Sequence, residues 1–336
     1  MNRFGTTAAL LAAVAGMVLG ADAWAQNKRL VVYSSNESTL HNLVFPAFQK
    51  ETGIQVDAVE VGSGVVMRRI AAEKDRPQGD IVWGLSRLNL NNNKEFLAPY
   101  RSKNRDAIPA EFRDADDHWI GTNLHLLVIL ANTNLVTPAV EPKGWEDLLA
   151  PRWKDKVAVT EPSNSGSAYI NLTFLAAKWG NGKEVGGEKL TKLLQNTKVV
   201  NKSSLIFSGV GTGEYALGFG LEYAGYLWKT NGAPVKVIYP ADGSVAVMEG
   251  VGIVKGGPNP EAAKQFVEFV TRKDVRELIL SKTFRRPTRQ DLDLTNLPGG
   301  LPQLSAVKVM DYDEAYWAKE RTVALEKLQD LIQKTR

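Results

Sequence analysis

A repeated order of short apolar run, small polar residues and helix-period stretch limits what this chain can fold into. Lys28 to Tyr33 (KRLVVY) reads as a buried strand, broken by Ser34-Ser35-Asn36-Glu37. Leu40, Leu43, Val44, Ala47 and Phe48 then recur at helical spacing until Gly53 stops the pattern. Ile54 to Val61 alternates as a second strand, and Gly62-Ser63-Gly64 opens an apolar and basic helix through Met67, Ile70 and Ala71. Asp80 to Gly84 is a third strand. Strands alternating with helices predict an α/β fold around a parallel sheet. In such sheets the loops after the strands line a ligand crevice, so Ser34 to Glu37, Gly62 to Gly64 and Gly84 to Ser86 share one rim.

The same order returns further on. His125 to Leu130 and Val157 to Thr160 are apolar strands, and the second runs through Pro162 and Ser163-Asn164-Ser165-Gly166-Ser167 into a helix with Ile170, Phe174 and Leu175. Gly213 to Gly220 leads to Glu222-Tyr223 and a helix or turn around Trp228; Val235 to Tyr239 is another strand. Met248 to Val254 is apolar enough to cross between two bodies, Glu261 to Thr271 is helical, and Glu314 to Lys334 reads as one amphipathic C-terminal helix. A chain of 336 residues suits two domains of ordinary size. With no cysteine it has no disulfides, thiolate metal sites or thiol nucleophile. Lys and Arg number 41 against 37 Asp and Glu, an excess too small for a nucleic-acid footprint.

The N-terminus reads as an export signal. Met1-Asn2-Arg3 is a short basic start, Phe4 to Gly20 is an apolar stretch, and Ala23-Trp24-Ala25 has the A-x-A form of a cleavage site. The stretch is shorter than the roughly 20 residues that span a bilayer, which argues against a membrane anchor. Residues 1–25 are therefore expected to be a signal peptide, cleaved after Ala25, with the mature chain exported.

Three loops combine hydroxyl side chains with glycine between a strand and a helix, an arrangement that turns N–H and O–H groups toward an anion. Each taken singly fits an N-cap or a turn. Three on one rim (Ser34-Ser35-Asn36, Gly62-Ser63-Gly64 and Ser163 through Ser167) point to a ligand, and Ser163-Asn164-Ser165-Gly166-Ser167 is the most informative, since capping needs only one of its four polar side chains. Glu222-Tyr223 and Glu249 lie in glycine-rich apolar surroundings, where an unpaired carboxylate is costly. They are candidates for the hydroxyls or amine of a ligand, with a salt bridge as the other reading. Arg68-Arg69 and Arg285-Arg286 are basic pairs able to meet a phosphate bidentately, with a solvated helix or turn surface as the favoured reading. The histidines, His41, His118 and His125, form no HExxH pattern, there is no G-x-S-x-G elbow or P-loop, and Gly209 to Gly213 lacks the spacing of a dinucleotide loop.

Several stretches together resemble the periplasmic solute-binding proteins of ABC importers, in the group named after ferric-ion-binding proteins. They are VVYSS (Val31 to Ser35), FQKETGIQV (Phe48 to Val56), GDIVWG (Gly79 to Gly84), FLAPY (Phe96 to Tyr100), GWEDLLAPRWKDKVAV (Gly144 to Val159), GEYALG (Gly213 to Gly218), EGVGIVKGGPNPEAAKQFVEF (Glu249 to Phe269) and RRP (Arg285 to Pro287). The resemblance implies a two-lobed α/β flytrap with mixed, mostly parallel sheets and crossover strands. Residues 26–112 with 252–303 would form the N-terminal lobe, and 113–251 with 304–336 the C-terminal lobe.

Iron binders of this group use a His or Tyr after the first strand, a Glu after the third and two adjacent tyrosines. The matching places here hold Glu37, Leu85 and Tyr223-Ala224, a poor set for a hard, highly charged ion. Relatives that bind hexose phosphates or aminoalkylphosphonates place the phosphate among the serine and glycine loops, which this chain retains. The expectation is a periplasmic, monomeric binding protein and not an enzyme, with no cofactor, taking a small anionic organic ligand to an inner-membrane ABC permease. The ligand-binding set is Ser34, Ser35, Asn36, Ser63, Gly64, Ser86, Ser165, Gly166, Ser167, Ser203, Glu222, Tyr223 and Glu249. The alternatives are ferric iron on Tyr223 and Glu37 with a bound anion, and an exported hydrolase built on a serine and a histidine in contact.

Overall fold

A computed structural model describes residues 29–180 and 182–336. The expected signal peptide and its cleavage site lie outside these residues. The first half runs β1 (Arg29–Ser34), α1 (Ser38–Thr52), β2 (Gln55–Glu60), α2 (Ser63–Ala72), β3 (Ile81–Ser86), α3 (Arg87–Asn92), β4 (Leu97–Ala98) and β5 (Trp119–Asn132). Then come β6 (Val157–Thr160), α4 (Gly166–Trp179), α5 (Glu188–Gln195), β7 (Thr197–Val200), α6 (Ser203–Thr212), β8 (Leu217–Leu221), α7 (Glu222–Thr230) and β9 (Val235–Ile238). The last part is β10 (Ala246–Val254), α8 (Pro260–Thr271), α9 (Lys273–Thr283), β11 (Arg286–Pro287), α10 (Glu314–Lys319) and α11 (Arg321–Lys334).

The principal strands join in the order β2-β1-β3-β10-β5-β8-β6-β7. At one end β2, β1 and β3 are parallel, and at the other so are β8, β6 and β7. Between them β10 and β5 run antiparallel to each other and to their outer neighbours. Each parallel triplet carries its own helices and core. Leu30, Val32, Trp83, Phe48 and Phe266 pack in the first lobe, where edge-to-face rings of Phe48 and Trp83 meet Phe266. Trp145, Val157, Leu172, Leu193 and Leu217 pack in the second.

The two central strands tie the lobes together, the arrangement expected of a flytrap. The apolar run from His125 is only the second half of β5, whose first half carries Gly121, Thr122 and Asn123 and so did not read as strand. These polar groups are satisfied within the junction: the Thr288 hydroxyl donates to the Gly121 carbonyl at 2.8 Å, and the Thr122 hydroxyl donates to that of Glu249 at 3.2 Å. β10 slips register against β5 between Glu249 and Gly250, and against β3 between Gly250 and Val251. Such bulges bend and twist a strand, here midway between the lobes.

The C-terminal helix is two helices, α10 and α11, parted at Glu320. No glycine or proline marks the break. The carbonyl of Trp317 instead accepts the Tyr169 hydroxyl at 2.6 Å, and that of Ala318 accepts the Asn92 amide at 3.2 Å, which takes both out of a continuous helical ladder. Gly209 and Gly211 sit inside α6, where a Cβ would come within 2.4 Å of the Tyr215 and Trp228 rings respectively. They serve packing.

Candidate functional site

Three helices of ten, fourteen and ten residues, α2, α4 and α6, point their N-termini into one cavity between the lobes. It encloses about 540 Å³ of empty space, including its mouth. The helices begin there because glycine or small hydroxyl residues follow the strands and leave first-turn N–H groups free of a continuous ladder. Gly62 and Ser63 line the cavity from α2, Ser165 to Ser167 from α4, and Lys202, Ser203 and Ser204 from α6. Three partial positive charges and one ammonium group therefore face a common space.

The hydroxyls form a connected cluster. Ser165 Oγ accepts from the Ala168 N–H at 3.3 Å, capping α4, and lies 3.1 Å from Ser167 Oγ and 3.2 Å from Ser203 Oγ. Ser63 Oγ accepts from the Gly166 N–H at 2.9 Å, a bond from one lobe to the other. Ser86 Oγ caps α3 by accepting from the Asn89 N–H at 3.3 Å. The Ser35 hydroxyl donates to the carbonyl of Gly84, a left-handed residue (φ 81) whose turn brings that carbonyl within reach.

The opposite wall carries Glu37, Tyr223 and Glu249. The Tyr223 hydroxyl and Arg285 Nη2 each donate to one oxygen of Glu37, and the Arg285 guanidinium lies 3.7 Å over the Tyr223 ring. Burial would raise the Glu37 carboxyl, but Arg285 and the Tyr223 hydrogen bond outweigh it and hold it below the usual carboxylate range. Burial pushes the Tyr223 phenol well above its ordinary value, against the pull of Arg285. His125 Nε2 and Glu249 Oε2 are 2.8 Å apart, and the Glu249 side chain keeps 15% of its surface exposed.

Of the thirteen residues expected to bind ligand, Ser35, Ser63, Ser86, Ser165, Gly166, Ser167, Ser203, Tyr223 and Glu249 line this cavity, as does Glu37. Ser34, Asn36, Gly64 and Glu222 do not, and each has other work. Ser34, fully buried, accepts the Asn36 N–H at 3.1 Å and meets His41 Nε2 at 2.8 Å. Asn36 packs under Gly84, where a Cβ would lie 2.6 Å from its amide nitrogen. Gly64 presses its backbone on the other lobe and donates its N–H to Asn164 at 3.2 Å. Glu222, 1% exposed, takes Arg286 at 2.6 and 2.8 Å and the Tyr239 hydroxyl at 2.5 Å, so both its oxygens are committed.

The arginines correct a second expectation. Arg285 and Arg286 are not on the surface; they are buried at the lobe junction, each holding one of these acids. Arg68 is exposed, as expected, and also donates across the seam to Ser163 O at 2.9 Å and Asn164 Oδ1 at 3.0 Å. Lys202, which bridges to Glu60 of the other lobe, was missed as well. The hydrolase alternative asked for a serine and a histidine in contact in the cleft. Ser34 and His41 do touch, but neither these two nor the other histidines are among the described residues that line the cavity.

Over residues 88–317 the chain matches the bacterial extracellular solute-binding proteins. It is 30% identical to an uncharacterised protein of Haemophilus influenzae, across 94% of this chain and 93% of that one. It is 26% identical to a putative 2-aminoethylphosphonate-binding periplasmic protein of Salmonella typhimurium, across 81% and 82% of the two chains. Among solved structures it is similar to the periplasmic binding protein AfuA of Actinobacillus pleuropneumoniae, described with exogenous fructose-6-phosphate bound. The TM-score is 0.79 at 26% identity, covering 91% of this chain and 98% of that one. Iron-bound HitA of Pseudomonas aeruginosa shares the fold, with a TM-score of 0.74 at 21% identity over 90% of this chain and 99% of that one. With its two lobes joined through β5 and β10 around an enclosed cavity, the chain belongs to the bacterial extracellular solute-binding proteins, the periplasmic ligand-capturing components of ABC transporters.

Proposed function

We infer that the chain, exported to the periplasm after cleavage following Ala25, captures a small phosphorylated or phosphonate-bearing organic compound and delivers it as a monomer to an inner-membrane permease. The observation that carries this reading is the meeting of three helix N-termini, a serine cluster and Lys202 on one enclosed space. Tetrahedral oxyanions suit such a set, since each oxygen accepts several short N–H or O–H donors while the helix ends supply positive potential. Ser35, Ser63, Ser86, Ser165, Ser167 and Ser203 would hold the phosphoryl group with nearby N–H groups. Glu249, with its partly exposed carboxylate, would take a hydroxyl or an amine at the other end.

This reading ranks an organophosphate above ferric iron. The Tyr223 oxygen is buried and donates to Glu37, and in this environment loss of its proton is disfavoured. The similarities to a putative aminoethylphosphonate binder and to a fructose-6-phosphate complex support the class of ligand. Thermal-shift titrations with fructose 6-phosphate and 2-aminoethylphosphonate test it. Stabilisation by one of them, lost in Ser165→Ala/Ser167→Ala, is the expected result. No response to either, with a different co-purified ligand found by native mass spectrometry, would overturn it.

A further inference from the structure

The serines that line the cavity are not interchangeable, because the bonds they make within the protein decide which still has a proton to give. Ser63 Oγ accepts the Gly166 N–H at 2.9 Å, and Ser86 Oγ accepts the Asn89 N–H at 3.3 Å. Each N–H occupies a lone pair, and neither hydroxyl proton meets an acceptor among the described residues. Both are free to donate into the cavity. Ser35 is the reverse. Its partner is the carbonyl oxygen of Gly84, which can only accept, so the single hydroxyl proton of Ser35 is committed there. No donor among the described residues reaches Ser35 Oγ. A side chain that lines the cavity therefore offers it lone pairs alone.

The fold puts this acceptor among donors. β1 lies between β2 and β3, and Ser35 follows its last residue. The Val61 N–H donates to Ser34 O at 3.0 Å, and the Ser35 N–H donates to Trp83 O at 3.0 Å. Ser35 thus stands between the strand ends that lead into Gly62-Ser63 and into Gly84 to Ser86. A fully deprotonated oxyanion at this rim would satisfy Ser63 and Ser86 but set its lone pairs against those of Ser35, leaving an acceptor unpaired. An oxyanion that keeps one proton satisfies all three.

We propose that Ser35 is a specificity-determining residue that accepts the proton of a monoprotonated phosphoryl group, and so separates phosphates and phosphonates from sulfate esters and sulfonates. The sulfur compounds carry no such proton near neutral pH. The proposal rests on the phosphoryl-binding role given above and adds the protonation state in which the ligand is held. The monoprotonated form is available in solution, since a phosphate monoester loses its second proton near about pH 6. The ionisable side chains that share the cavity are Glu37, Lys202, Tyr223 and Glu249, and they face a phosphoryl compound and its sulfuryl counterpart alike.

Calorimetry at about pH 8, above the second phosphoryl ionisation, with two matched pairs is the test: 2-aminoethylphosphonate against 2-aminoethanesulfonate, and fructose 6-phosphate against fructose 6-sulfate. The wild type should prefer the phosphoryl member of the pair it binds by more than about tenfold. Ser35→Ala should bring the two members within about threefold of each other, by losing phosphoryl affinity while sulfuryl affinity holds or rises. Ser63→Ala removes a donor, so it should weaken both members and leave their ratio as in the wild type. A turn merely loosened by Ser35→Ala would also weaken both alike. A second measurement needs no variant: titrations in buffers of different ionisation heat should show the wild type taking up about one proton per phosphoryl ligand bound, with no matching uptake for the sulfuryl member. An unchanged ratio in Ser35→Ala, or no proton taken up with the phosphoryl ligand, overturns the proposal and leaves the phosphoryl-binding role standing. A wild type that binds neither phosphoryl compound removes that role, and this proposal with it.

Discussion

Gly64→Ala should separate closing from folding. An added Cβ would lie 2.1 Å from the Ser163 carbonyl oxygen of the other lobe, where ordinary contact begins near 3.4 Å. The obstacle is backbone, so the lobes must stop about 1.3 Å short (3.4 − 2.1). Four bonds then lengthen together: Gly64 N–H to Asn164 O at 3.2 Å, Arg68 to Ser163 O at 2.9 Å and to Asn164 Oδ1 at 3.0 Å, and Gly166 N–H to Ser63 Oγ at 2.9 Å. At about 1 kcal/mol each, with the exposed Arg68 pair contributing less, the loss is about 3 kcal/mol, or 10²-fold in affinity. Within its own lobe Gly64 is an ordinary helical residue without a positive φ, and alanine there is favourable by up to about 1 kcal/mol. Calorimetric titration with whichever organophosphate binds the wild type, beside a thermal melt, reads both effects. The expected result is affinity reduced about 10²-fold with an unchanged or higher melting temperature. Wild-type affinity, or a melting temperature several degrees lower, would refute the assignment of Gly64 to the closed seam.

Other outcomes follow from the buried charges. Glu222→Ala strands Arg286 and should cost about 3–5 kcal/mol in denaturant unfolding, with affinity below the transition changed less than tenfold. His41, buried against Phe45 and near Glu60, Glu37, Arg285 and Lys202, has its pKa lowered by burial from 6.5 to about 4. The unfolded chain therefore takes up a proton first as pH falls: the full contribution is present above about pH 6.5 and is lost toward pH 4. Its size is up to about 3 kcal/mol, and in a comparison of unfolding against pH with His41→Asn the difference should be greatest near neutrality and shrink by this amount toward pH 4. Ferric iron added to the protein should give no phenolate charge-transfer colour, since Tyr223 keeps its proton; a visible absorption band lost in Tyr223→Phe would contradict this.

The strand and helix order was legible because apolar spacing repeats within each element, and the serine loops stood out because they exceed what capping needs. What escaped was pairing over long separations. Glu222 next to a glycine-rich apolar run fits a ligand contact or an ion pair equally well, and its partner Arg286 is 64 residues away. Arg285 was invisible for the same reason: a paired arginine in a turn reads as solvated until Glu37 and the Tyr223 ring are brought to it. Lys202 had a local signal, since it heads the hydroxyl-bearing start of α6, but its bridge to Glu60 depends on the two lobes meeting. The break between α10 and α11 left no mark because its cause, the Tyr169 hydroxyl, lies on another helix.

The double register slip in β10 gives Glu249 a mechanical role. The residue at which the strand loses step with β5 also presents its carboxylate to the cavity. A ligand gripping that carboxylate braces the pivot as well as the lobes, so the barrier to reopening grows with the contact at Glu249. Residence time is then set at the fulcrum, and compounds of equal affinity that differ only at this end should leave at different rates.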